Sequence, residues 1–126
     1  MRVNKIWAAH DAGQIIYPNG AKGQLLGGIA QGLGYALTEG FSYKNGYPEK
    51  KNLNQYKLPT ALDVPEIETT FVKTTFPNGP FGAKNLAEPV MIATTPAIAN
   101  AVFQAVGVRC RQFPISAAWL REQLLG

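Results

Sequence analysis

The chain has 126 residues, of which 46% are apolar and 16% are charged, a composition typical of one globular domain with a moderate core. No membrane-length apolar run and no charged-then-apolar leader are visible, so we expect neither a membrane span nor a signal peptide. The basic residues that give a net charge of +4 are scattered apart from Lys50-Lys51, so we do not expect nucleic-acid binding. The one cysteine, Cys110, excludes an internal disulfide and a multi-cysteine metal site, and a reducing, cytoplasmic location is expected.

The first third of the chain predicts a strand followed by a long helix. Residues 3–9 alternate apolar and polar side chains, as a half-buried strand does. Residues 17–20 (Tyr-Pro-Asn-Gly) predict a turn. From 21 to 39, apolar residues recur at three- and four-residue spacing, which predicts a helix that ends before Gly40.

The middle of the chain predicts extended structure. Asn45-Gly46 is a favourable hairpin turn between residues 41–43 and a partner strand after Tyr47. A proline-punctuated connection follows at 56–65. Residues 66–75 are rich in β-favouring side chains and predict the clearest strand of the chain.

The last third predicts two helices interrupted by a proline, then a strand and a final helix. A short turn of helix is predicted from Pro89 with Glu88 as its cap, and a separate helix from Thr95 to residue 106, since threonine followed by proline is typical of a helix start. Residues 108–113 predict a strand. Ser116 predicts the cap of a closing helix that reaches about residue 125, and the fold class is therefore α+β.

The first predicted helix contains an unusual number of glycines. Five lie between residues 23 and 34, and interior glycines disfavour a helix by about 1 kcal/mol each, roughly 4–5 kcal/mol together. The glycines therefore indicate close approach of either another backbone or a ligand. Gln24 and Gln31 stand among them; Gln24 lies in the first turn, where N–H groups attract anions, or else it is simply solvated.

The segment NGPFGAKNLAEP (residues 78–89) ends a tight Gly/Pro loop with a single carboxylate, Glu88. Apolar neighbours predict that Glu88 lies at the edge of a core, where burial would raise its pKa, whereas a helix N-terminus would lower it. Glu88 is thus either a helix cap or a general base. No nucleophile and base pair is visible, and His10 reads as an ordinary strand-end residue, which argues against an autonomous hydrolase.

Several segments together resemble the molybdenum-binding subunit of the xanthine dehydrogenase/aldehyde oxidase family. They are GQLLGGIAQGLGYALTE (23–39), YKLPT (56–60), DVPEI (63–67), the loop at 78–89 and TPAIANA (95–101), in the same order as in the family. The resemblance covers essentially the whole chain but only the C-terminal part of a longer subunit. It implies that residues 1–126 form a single unit, a C-terminal piece of the molybdopterin-binding domain, which is inactive alone.

The resemblance also implies a function. The family hydroxylates an electron-poor carbon of a heterocycle or aldehyde at a molybdenum–pyranopterin cofactor, and no protein side chain ligates the metal. Glu88 matches the general base and Gln24 the glutamine that binds the cofactor, while the backbone at Asn85, Leu86 and Ala87 would approach the pterin. Iron–sulfur (2Fe–2S) and flavin (FAD) groups are expected on partner domains or subunits.

The chain departs from the family pattern in two places, and the sequence also allows an alternative function. Asn85 and Ala87 stand where the family loop usually has glycines, and Tyr17 stands where asparagine is usual. The rival is a non-catalytic interaction module, or a degenerate subunit derived from the family, in which the glycine-rich helix packs on a partner protein. An isolated chain with an unused cofactor-facing surface is also expected to self-associate.

Overall fold

Strands and helices are mixed along the chain, and the computed structural model describes all of residues 1–126. In chain order they are β1 (Lys5–His10), α1 (Pro18–Leu37), β2 (Tyr43–Lys44), β3 (Tyr47–Pro48), β4 (Glu66–Phe71), a 3₁₀ turn (Pro80–Gly82), α2 (Glu88–Val106) and α3 (Ala117–Leu125). The α+β class is confirmed.

β1 and β4 form a two-stranded parallel sheet, which confirms both predicted strands. Their register runs from Lys5 opposite Glu66 to His10 opposite Phe71. On the outer face of the sheet, Lys5 forms ion pairs with Glu66, at 2.9 Å, and with Glu68. The inner face packs on a buried cluster: Leu25, Ile29 and Val90.

The hairpin β2–β3 is also confirmed. Its turn residues Asn45 and Gly46 have φ values of 52° and 80°, the left-handed conformations that an Asn-Gly turn supplies. All four strand residues of the hairpin are exposed.

α1 begins earlier than predicted. Pro18 occupies the first turn of the helix, where its missing N–H has no intrahelical partner to lose. The Ala21 N–H donates to the Tyr17 carbonyl at 2.9 Å, so the predicted turn at 17–20 is instead the start of α1. Gln24 therefore lies in the second turn of the helix, and its predicted place in the first turn is wrong.

α2 is one continuous helix, and the predicted break at Thr95-Pro96 is wrong. A proline in a helix interior removes one hydrogen bond and disfavours the helix by about 3 kcal/mol. Here Pro96 follows Thr95, whose hydroxyl donates to the Gly32 carbonyl of α1 at 3.1 Å instead of capping a new helix. This tertiary contact and the burial of Ile98 hold the two halves of α2 in line.

By length and composition alone, α2 is apolar enough to cross a membrane. In this structure it packs along α1 and contributes buried side chains to all three apolar clusters, as Val90, Ile98 and Val102 illustrate. The sequence prediction that no apolar run is long enough to span a membrane therefore missed α2, which in this structure packs against α1.

The predicted strand at 108–113 is wrong, since this segment runs beneath α2 without a strand partner. After Gly107, whose φ of 75° ends α2 as predicted, Cys110 and Ile115 are buried against α2. The Ile115 N–H donates to the Ala36 carbonyl at 2.7 Å. Ser116 caps α3 as predicted, because its hydroxyl accepts from the Trp119 N–H at 3.1 Å.

Candidate functional site

The middle of α1 and the N-terminal end of α2 together line a cleft of about 370 Å³, which we call the glutamine–glutamate cleft. Its lining residues come from both segments singled out in the sequence: Gln24, Gly27, Gly28, Gln31, Ala87, Glu88 and Met91. The two residues that the sequence marks most strongly, Gln24 and Glu88, therefore face one cavity although they lie far apart in the chain.

Four of the glycines of α1 form two rows with different surroundings. A Cβ placed on Gly28 would lie 2.9 Å from the Val90 Cβ, and one on Gly32 would lie 2.7 Å from the Thr94 Cβ. These two glycines thus let α2 approach α1, as the packing interpretation predicts. Gly23 and Gly27 have no atom within 4 Å of such a Cβ, so packing within the chain does not account for them.

Glu88 is the first residue of α2 and is exposed, so the prediction that it lies at the edge of a core is wrong. It is also not the cap residue, since Ala87 takes that position without a side-chain hydrogen bond. The Glu88 carboxylate accepts from its own backbone N–H and, on Oε2, from the Asn85 amide at 3.1 Å. These hydrogen bonds, the backbone one first, lower the pKa of Glu88. The carboxylate is therefore ionised and able to accept a proton.

The loop residues before Glu88 take different positions. Asn85 is exposed, and besides donating to Glu88 it accepts from the Ala87 N–H at 3.2 Å. Leu86 is half-buried against the cluster around Leu25, and it lines a neighbouring cleft of about 270 Å³ that shares Gln24 with the first. Ala87 lies on the glutamine–glutamate cleft itself.

The turn that begins this loop is strained. Phe81 has a φ of 52°, in the left-handed region, and its side chain is 90% exposed. Gly82 follows with a φ of 79°, a conformation that glycine adopts readily. The Gly/Pro composition of the loop thus serves a tight reversal ahead of Glu88.

The residues of the glutamine–glutamate cleft suit a polar ligand that lies close to the helix backbone. Gln24 and Gln31 are exposed, with amides that can donate and accept hydrogen bonds, and the bare backbone at Gly27 lies beside them. No cluster of three or more His, Cys, Asp or Glu side chains is placed to hold a metal ion. The sequence did not predict two residues of this region. Met91 lines the cleft, and no sequence pattern marks it. Asp11 accepts a hydrogen bond from Lys84 of the loop before Glu88, whereas its Asp-Ala-Gly sequence indicates only a turn.

Comparisons with known proteins point in one direction. Residues 1–65 match the model of a family described as the molybdopterin cofactor-binding domain. Over 123 residues the chain is 39% identical to the xanthine dehydrogenase molybdenum-binding subunit of Escherichia coli O157:H7, covering 96% of this chain and 16% of the relative. It is 34% identical over 127 residues to the aldehyde oxidoreductase molybdenum-binding subunit PaoC of Escherichia coli K12, covering 98% of this chain and 17% of that one.

The fold agrees with these matches. The crystal structure of quinoline 2-oxidoreductase from Pseudomonas putida 86 superimposes with a TM-score of 0.91 at 33% identity, covering 98% of this chain and 16% of that one. The chain thus spans about one sixth of the length of the relatives it matches.

Proposed function

The chain belongs to the family of molybdopterin cofactor-binding domains, and on that basis we propose that it is one unit, residues 1–126, of the catalytic subunit of a molybdenum hydroxylase. The reaction is the hydroxylation of an electron-poor carbon in a heterocycle or an aldehyde. The similar proteins described above, which include a xanthine dehydrogenase, an aldehyde oxidoreductase and a quinoline 2-oxidoreductase, support this substrate class.

The observation that carries the proposal is the glutamine–glutamate cleft. Gln24 and Glu88 line it together, and Gly27 leaves bare backbone between them. Each interior glycine disfavours a helix by about 1 kcal/mol, so glycines inside a helix indicate that another group approaches the backbone closely. Since nothing in this chain fills that space, a cofactor at this face accounts for them.

Each residue has a proposed role toward the cofactor. The molybdenum–pyranopterin group supplies the two-electron oxidation and the oxygen chemistry when it is bound. The Gln24 amide hydrogen-bonds a polar edge of the group, and the backbone of Asn85, Leu86 and Ala87 approaches it. Asn85 takes a place usually held by glycine, and its amide orients Glu88.

Glu88 is the proposed general base. Its carboxylate is ionised in the chain, and the Asn85 amide, which donates to Oε2, orients it to receive the proton released during hydroxylation. Enclosure by a cofactor and by further polypeptide would raise the pKa of this carboxylate toward the range in which a base works best.

The remaining parts of the enzyme lie outside this chain. We propose that the rest of the molybdenum-binding subunit completes the site, and that 2Fe–2S and FAD groups on partner domains or subunits remove the electrons in the cytoplasm. Alone, the chain is expected to be inactive and to self-associate through exposed apolar side chains such as Trp7 and Leu62.

The test is Glu88→Gln in the assembled enzyme. We expect molybdenum content to stay at the wild-type level and turnover to fall about 10²- to 10⁴-fold, the usual contribution of a general base. The exposed acid Glu49, which follows β3 and does not line the cleft, provides the control Glu49→Gln, which should leave turnover unchanged. Wild-type turnover in Glu88→Gln would remove Glu88 from the mechanism.

A second candidate is a non-catalytic interaction module. It is favoured by an apolar cleft of about 860 Å³ between the N-terminus, α2 and α3, lined by residues such as Trp7, Val102 and Leu124. Metal analysis separates the two candidates, because only the first requires molybdenum in a purified complex that contains this chain.

A further inference from the structure

The Asp11 carboxylate joins three separate segments of the chain. It accepts from the Lys84 ammonium at 2.6 Å, from the Thr74 hydroxyl at 2.7 Å and from the Gly13 N–H at 2.9 Å. Asp11 directly follows β1, Thr74 lies beyond β4, and Lys84 belongs to the loop that leads to Glu88. One side chain thus ties the ends of both parallel strands to that loop.

A short backbone latch reinforces this tie. The Lys84 N–H donates to the Ala12 carbonyl and the Gln14 N–H donates to the Gly82 carbonyl, each at 2.9 Å. Gly13 pairs with Ala83 in an isolated antiparallel bridge. Gly13 has a φ of 63°, and a Cβ there would collide with the Gly82 carbonyl, so only glycine permits the two segments to lie this close.

The anchored position is adjacent to the acid of the cleft. Asn85 follows Lys84 directly, and its side chain bonds both the Ala87 N–H and the Glu88 carboxylate. Beyond Glu88 the chain is held by the packing of Val90 in the core. The loop is therefore fixed at both ends, and Asp11 supplies the fixed point on the N-terminal side.

We propose that Asp11 is a positioning residue: through Lys84 and the Gly13 latch it holds the loop that presents Glu88 to the glutamine–glutamate cleft. This inference rests on the proposed function of Glu88 as the base. Asp11 and Lys84 are each about one third exposed, and ion pairs of that kind contribute little to global stability. The expected effect is thus local, at residues 82–88.

The experiment compares Asp11→Asn and Lys84→Met with the wild type in the assembled enzyme. Hydrogen–deuterium exchange should accelerate at least tenfold in residues 82–88 and stay unchanged elsewhere. Turnover should fall about 10- to 100-fold with molybdenum content retained, because a displacement of about 1 Å in a reacting group has effects of that size. The double variant should be no slower than either single one, since both remove the same contact.

Two further variants make the test specific. Lys84→Arg keeps the ion pair and should retain wild-type exchange in residues 82–88. Glu66→Gln removes an ion pair of β1 and β4 that does not touch the loop, and it should change neither exchange in residues 82–88 nor turnover.

The inference is overturned if exchange in residues 82–88 is unchanged, or if it accelerates equally throughout the chain. If Asp11→Asn does not fold, Lys84→Met decides alone. Full turnover in Glu88→Gln would refute Glu88 as the base. Accelerated exchange confined to residues 82–88 in Asp11→Asn would still support the anchoring contact. The failure of the proposed function and the failure of this inference are therefore distinguishable.

Discussion

The two rows of glycines in α1 predict opposite effects for the same substitution at two positions. Gly27→Ala places a Cβ where no atom lies within 4 Å, so the chain should gain the helix propensity of alanine, about 1 kcal/mol. Gly32→Ala gains the same propensity but places its Cβ 2.7 Å from the Thr94 Cβ and 3.1 Å from the Met91 carbonyl oxygen. Overpacking of this kind typically destabilises by about 1–3 kcal/mol, which leaves Gly32→Ala between neutral and about 2 kcal/mol less stable.

Urea unfolding followed by far-UV circular dichroism measures both variants against the wild type. The two free energies of unfolding should differ by about 1–3 kcal/mol, with Gly27→Ala the more stable. In the assembled enzyme Gly27→Ala should nevertheless lower molybdenum content, because its methyl group occupies the cofactor face. Equal changes in the free energy of unfolding of the two variants would refute the division into rows. Full molybdenum content in Gly27→Ala would refute the proposal that the row of Gly23 and Gly27 faces the cofactor.

Two further predictions concern single side chains. The Lys84 ammonium, followed by the Gly13 N–H and the Thr74 hydroxyl, lowers the pKa of Asp11 from 3.8 to about 2. As the pH falls, the unfolded chain therefore binds this proton before the folded chain does. Asp11 thus contributes stability above pH 4 that is lost as the pH falls toward 2, and the contribution is small because solvent screens the pair. Asp11→Asn should make the urea midpoint fall less steeply between pH 4 and pH 2 than in the wild type, and parallel slopes would contradict the pairing. Gln24→Ala removes one proposed hydrogen bond to the cofactor, worth about 1 kcal/mol, so the dissociation constant of the cofactor should rise about fivefold. Titration of the cofactor-free assembled enzyme with isolated cofactor measures this constant, and an unchanged value would exclude Gln24 from the cofactor contacts.

Local patterns predicted the elements whose causes are local. The alternation in β1, the Asn45-Gly46 turn, the left-handed Gly107 and the Ser116 cap depend on side chains within a few residues, and all are confirmed. The break predicted at Thr95 failed because the hydroxyl that would cap a helix bonds a carbonyl 63 residues away. No local rule anticipates that contact.

The candidate site, too, was predictable from the sequence only in part. Glu88 and Gln24 were marked by composition and by family resemblance, but only the packing of α1 on α2 brings them to one cleft. Whether Glu88 is exposed depends on which face of α2 meets α1, and the apolar neighbours of Glu88 in the sequence pointed the wrong way. Asp11 was missed because its partner Lys84 lies 73 residues further along the chain.

The parallel pairing of β1 with β4 has a consequence during synthesis of the chain. Lys5 and Glu66 are 61 positions apart, and at about 5–20 residues per second a ribosome needs roughly 3–12 s to add that length. Throughout that interval β1 has been made but lacks β4, the strand whose amide and carbonyl groups it bonds in this structure, and unpaired strand edges associate readily with one another. Slower translation of the residues between β1 and β4 is therefore expected to lengthen the exposure of the β1 edge that later pairs with β4.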